Sequence, residues 1–112
     1  MGHTISTAPI PTEIQATARS LGAAIRAARL RRRWSQALLA EKAGVSHVTL
    51  RKAEQGQSGV AMGTYLVLLW ALGLDQLLAP VLDPAADREG VALETFRLGQ
   101  RVRPRREIDD DF

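Results

Sequence analysis

Apolar positions along the chain form short helical stripes, separated by glycine, serine and proline. Leu21, Ile25 and Ala28 recur at helical spacing, with Arg19, Arg26 and Arg33 towards the other side. This predicts a first helix over about 17–32. Ser35 stands where an N-cap would open a second, short helix ending near Ala43. Gly44 follows, at the place where a helix stops in a left-handed residue. Ser46 caps a third helix that reaches about Gln55 and is ended by Gly56. Met62 to Leu72 predicts a fourth helix, stopped by Gly73, and Asp75 to Leu78 a fifth, limited by Pro80. Asp83-Pro84 reads as a cap and first turn for a helix over about 85–98, which Gly90 weakens.

No strand alternation competes with this pattern, and no internal repeat is present. The expected fold class is all-α: five short helices, a flexible N-terminal arm and a charged C-terminal tail. The corresponding divisions are an arm at 1–16, a helical domain at 17–82, a helical extension at 83–98 and a disordered tail at 99–112.

The net charge of +3 hides a sorting of charges into blocks. Residues 19–52 carry nine basic side chains against Glu41 alone, a local charge of +8. Residues 53–94 come to −5, residues 95–106 to +5, and residues 107–112 to −4. A basic first half suits a polyanion, although clustering on a solvated surface would look similar. Thirteen arginines against two lysines suit bidentate phosphate and guanine contacts, but a GC-rich coding sequence would give the same bias.

The chain of 112 residues has no cysteine, which excludes disulfides, thiolate metal sites and cysteine nucleophiles. His3 and His47 lie too far apart for a metal-ligand pair of usual spacing, and no metal or other cofactor is expected. No Gly-rich phosphate loop or placed carboxylate pair supports an enzyme, and no catalytic residue is assigned. Residues 1–11 lack a secretory pattern. The apolar stretch from Val60 to Leu82 is broken by Gly73, Asp75, Gln76 and Pro80, so no membrane span is expected. These features point to a cytoplasmic protein.

Residues 35–56 carry the function. Two short helices meet at Ala43-Gly44-Val45, with Leu39, Val45, Leu50 and Ala53 turned inwards and Ala40 small enough for close approach. On a helical wheel His47, Val48, Arg51, Lys52 and Gln55 fall within about 140° of one another. Leu50, Ala53 and Glu54 fall on the other side, with Thr49 at the border. The outward face is polar and basic, sized for a DNA major groove. Arg51 can fork to guanine, Val48 can touch a thymine methyl, and His47 and Lys52 can donate to bases or phosphates.

Residues 21–74 resemble the helix-turn-helix domain of the XRE family, which includes the lambdoid phage repressors and Cro. The resemblance runs through Leu21-Gly22, Ile25-Arg26, Arg29, Trp34-Ser35-Gln36, Leu39 to Ser46, Leu50 to Gly56, and Leu66, Leu69 and Ala71 to Leu74. It implies a five-helix lambda-repressor-like domain and a transcriptional repressor of double-stranded operator DNA in a prokaryotic nucleoid. It also implies that Gln36 holds a phosphate and buttresses the recognition helix, and that Arg29 and Glu54 form a structural ion pair. The expected DNA-facing set is Arg33, Gln36, Ser46, His47, Val48, Thr49, Arg51, Lys52 and Gln55. The loop Gln57-Ser58-Gly59-Val60 departs from the family in lacking Lys or Arg. The missing phosphate contact falls to backbone N–H groups or to Arg31, Arg32 and Arg33, unless those arginines merely favour a helix C-terminus.

One recognition helix reads few base pairs, so a homodimer on a palindromic operator is expected. Tyr65, Val67, Trp70 and Leu74 are its candidate interface, because Tyr65 to Trp70 is apolar around the whole helix; Trp70 would otherwise be core. Residues 83–103 resemble the C-terminal stretch of HipB-like antitoxins, which implies a HipA-like kinase toxin as partner. A free-standing regulator, or an interaction module that keeps the fold without reading DNA, are the alternatives. The acidic block 53–94 either faces a basic partner or serves solubility. Arg101, Arg103, Arg105 and Arg106 track phosphate, meet a partner, or solvate a mobile end.

Overall fold

The computed structural model describes the backbone of residues 9–109 and the side chains of residues 9–101. Among these residues every regular element is helical. The chain divides into two compact units, one through Gln76 and the other from Leu77.

The first unit holds α1 (Thr12–Arg31), α2 (Gln36–Ala43), α3 (His47–Glu54) and α4 (Met62–Ala71). Helix α1 starts well before the expected Thr17. The Thr17 hydroxyl donates back to the Glu13 carbonyl at 3.0 Å, inside the helix, so Thr17 is not a cap. The start is set by Pro11, whose carbonyl accepts the amides of Ile14 and Gln15, both at 3.0 Å. The expected arm therefore shrinks by its last five residues, 12–16; its residues 1–8 lie outside the described residues.

Helices α2 and α3 open as the serines require. Ser35 Oγ accepts from the Leu38 amide and Ser46 Oγ from the Thr49 amide, each at 3.0 Å. All four helices end with crossed backbone hydrogen bonds around a left-handed residue. Three of those residues are glycines, and the fourth, closing α1, is Arg33 with φ 56°.

The core is built from Ile25 and Ala28 of α1, Leu39 and Ala40 of α2, Leu50 and Ala53 of α3, and Leu68 and Leu72 from α4 and its end. Leu21, Trp34, Val45, Val60 and Leu69 close its rim. Helices α1 and α3 approach closely enough to exclude side chains at two points. A Cβ at Gly22 would clash with the Ala53 and Glu54 carbonyls, and one at Gly56 with the Arg19 backbone. Helix α3 is thus gripped by α1, and it also packs on α2 and α4.

The expected fifth helix is a 3-10 turn, Asp75–Leu78, continued by a single α turn, α5 (Ala79–Leu82). Asp83 caps a second 3-10 turn, Pro84–Ala86, by accepting the Ala85 amide at 2.9 Å. Asp87 then accepts the Gly90 amide at 3.0 Å and opens α6 (Arg88–Asp109), three residues after the expected start. Helix α6 continues through Gly99, where a disordered tail is expected. Charge blocks do not exclude helix, and the Arg, Gln and Glu of this stretch are good helix formers. Residues 110–112 of the expected tail lie outside the described residues. No helix among the described residues is long and apolar enough to cross a membrane.

Candidate nucleic-acid interface

Helix α3 presents the face that the wheel anticipates. His47, Val48, Arg51, Lys52 and Gln55 are exposed, and Val48 retains 49% of its surface. Leu50, Ala53 and Glu54 are buried on the opposite side. Thr49 is half-buried, and its hydroxyl accepts from Ser46 Oγ at 2.8 Å. Ser46 and Thr49 therefore spend their side chains on the start of α3.

A chain of polar contacts runs beneath this face. The Arg29 guanidinium grips Glu54 through Nε to Oε2 at 2.7 Å and Nη2 to Oε1 at 3.1 Å. Its Nη1 donates to the Trp34 carbonyl at 2.9 Å, which ties the pair to the α1–α2 turn. Both residues of the pair are buried. Glu54 Oε1 also accepts from Gln36 Nε2 at 3.0 Å, and Gln36 Oε1 stands 3.0 Å from His47 Nε2. Gln36, the first residue of α2, thereby touches both ends of α3. A charged pair in low dielectric rewards such full satisfaction and fixes one orientation of the helix.

The arginines at the end of α1 separate into different tasks. Arg32 donates to the Ala28 carbonyl at 2.8 Å and to the Leu72 carbonyl at 2.9 Å, fastening the end of α4. Its guanidinium also lies 5.9 Å from the Trp34 ring, whereas Lys42 Nζ lies 4.8 Å from it. Two of the Arg32 donors thus serve the domain itself. Arg31 and Arg33 remain exposed.

One residue that pattern reasoning missed is Arg19. It is exposed on α1 and shares an open groove with Gln15, Gln55 and the basic-free loop Gln57–Gly59. The signal was present: Gly22 lies one turn on from Arg19, and the α1–α3 contact at Gly22 and Gly56 carries Arg19 beside the loop.

The four expected interface residues divide. Tyr65 and Leu74 pack against the core of their own unit. The Tyr65 hydroxyl reaches the Gln57 carbonyl at 3.3 Å, and burial raises its pKa from 10.0. Val67 is half-buried, and Trp70 is 62% exposed. The apolar stripe that α4 leaves uncovered is Met62, Leu66 and Trp70, spaced one helical turn apart.

Residues 20–82 match the family of helix-turn-helix domains. No curated protein and no solved structure matches the chain. The match spans more than half of the 112 residues and contains the two capped helices, their turn and the polar chain beneath them; the chain belongs to the helix-turn-helix domain family.

Proposed function

We propose that the chain is an XRE-type transcriptional repressor that reads double-stranded DNA with the exposed face of α3. The observation that carries this reading is the exposed set His47, Val48, Arg51, Lys52 and Gln55 on a helix whose far side is locked by the buried Arg29–Glu54 pair. A reading head must be rigid, because misplacement by an ångström loses base contacts. Arg51 and Val48 read base edges, and Lys52, Arg33 and Arg19 hold phosphates. Arg19 supplies the charge that the Gln57–Val60 loop lacks. The reading gives the chain no catalytic role and places it in a prokaryotic nucleoid.

It acts as a homodimer on a palindromic operator, because an eight-residue helix spans too few base pairs for specificity alone. The stripe Met62, Leu66 and Trp70 supports a second copy at α4. The test is selection from random duplexes followed by binding of variants. Arg51→Ala lowers cognate affinity by about 1–3 kcal/mol and relaxes one base position. Arg19→Ala weakens binding across sequences and lowers the salt slope by about one. Selection without a consensus sinks the reading and leaves an interaction module.

An antitoxin role rests on a different observation. Leu77, Val81, Leu82 and Phe96 of the second unit are all more than 60% exposed, which supports a protein partner there. A HipA-like kinase toxin is the proposed partner, and co-purification with the product of an adjoining kinase-like gene tests it.

A further inference from the structure

The polar chain under α3 has a direction, and it ends at the exposed imidazole of His47. A guanidinium can only donate, and the Glu54 carboxylate that it grips can only accept. Gln36 must therefore turn its amide nitrogen to Glu54, which leaves its amide oxygen towards His47. An amide oxygen can only accept, so His47 Nε2 carries the proton. In the neutral ring the other nitrogen, Nδ1, is then a bare acceptor. His47 is the exposed first residue of α3, and its Nδ1 has no partner among the described residues.

We propose that buried Arg29, acting through Glu54 and Gln36, fixes His47 as the Nε2–H tautomer and makes it a specificity residue that accepts from DNA. In the major groove the donors available to it are the exocyclic amino groups, N6 of adenine and N4 of cytosine. Guanine and thymine offer only acceptors on the corresponding edge, which an Nδ1 lone pair repels. An unsupported His47 could turn either nitrogen outwards and read any base. Arg29, Glu54 and Gln36 are positioning residues: they orient α3 as a whole, and His47 in particular through the Gln36 amide. The inference rests on the DNA-reading proposal above, but the tautomer itself does not.

The tautomer is measured in the free protein by long-range proton–nitrogen NMR on the imidazole, at a pH above the usual histidine range. Wild type gives the Nε2–H form alone, with slowed exchange of that proton. Gln36→Ala, checked for helix content by circular dichroism, gives a mixture of both tautomers and fast exchange. A wild-type Nδ1–H form, or a tautomer ratio and exchange rate unchanged in Gln36→Ala, overturns the proposal. If Gln36→Ala does not fold, slowed Nε2–H exchange in the wild type decides the point instead.

Selection from random duplexes then reads the consequence. Wild type favours one base pair at one half-site position, and His47→Ala loses roughly five- to tenfold of that preference while the Arg51-dependent position is kept. Replacing the adenine of that pair by purine, which lacks N6, or its cytosine by pyrimidin-2-one, which lacks N4, loses the same roughly five- to tenfold; a His47-dependent preference that survives removal of the amino group overturns the specificity claim. Absence of any consensus overturns the DNA reading and leaves the tautomer result standing.

Discussion

Removing the Glu54 carboxylate leaves a buried guanidinium without its counter-charge. Glu54→Ala strips two hydrogen bonds from the guanidinium of Arg29, a residue only 6% exposed, and a third from Gln36. Arg29 keeps its bond to the Trp34 carbonyl, but it becomes a buried charge without a counter-charge. Breaking a buried pair from one side costs about 3–5 kcal/mol. A unit of this size has a total stability of about 3–10 kcal/mol, so the variant loses at least about a third of it. The pair itself is a different quantity. Arg29→Met with Glu54→Leu removes both charges together and leaves unpaired only the Trp34 carbonyl and one Gln36 donor, so it costs about 1–2 kcal/mol. Urea unfolding followed by tryptophan fluorescence and circular dichroism measures both variants. Glu41→Ala, exposed on α2, is the control and stays within about 0.5 kcal/mol of wild type. The reasoning fails if Glu54→Ala costs under about 1 kcal/mol, or if the double variant is as unstable as the single one.

Arg33→Gly separates stability from binding. A side chain at φ 56° costs about 1–2 kcal/mol, and glycine loses part of that gain to unfolded-chain entropy. The variant therefore melts higher, by about 0.5 kcal/mol of stability, while it binds DNA more weakly for want of a phosphate contact. Equal or lower melting refutes the strain, and unchanged affinity refutes the contact. Tyr65, the single tyrosine, titrates above 10.0 by tyrosinate absorbance, because burial disfavours the phenolate. The folded protein holds this proton where the unfolded chain releases it, so stability falls as pH rises from about 10 through the folded midpoint. Tyr65→Phe removes that slope, and a slope kept in the variant assigns it to another group.

Much of this architecture is local, and local features are legible in a sequence. Ser35 and Ser46 cap because a hydroxyl reaches an amide three residues on, whatever lies elsewhere. Gly44, Gly56 and Gly73 end their helices because a left-handed residue suits glycine. The outward face of α3 follows from helical period alone, and the Arg29–Glu54 pair from a resemblance that carries its partners together.

The rest depends on neighbours distant along the chain. Arg31, Arg32 and Arg33 are alike as letters, yet only Arg32 reaches the Leu72 carbonyl, 40 residues on. Arg19 comes to lie beside Gln55 and the Gln57–Gly59 loop because Gly22 and Gly56 let two helices touch. Tyr65 and Leu74 turn inwards while Met62, Leu66 and Trp70 stay outside, a choice that an all-apolar helix leaves to packing. Sequence by itself determined where α2, α3 and α4 begin and stop and how α3 turns its polar face, since those follow from short-range hydrogen bonds and period. Only the tertiary structure decided which of several equivalent side chains is consumed by the fold and which is left free, because that choice is made by atoms that become neighbours on folding.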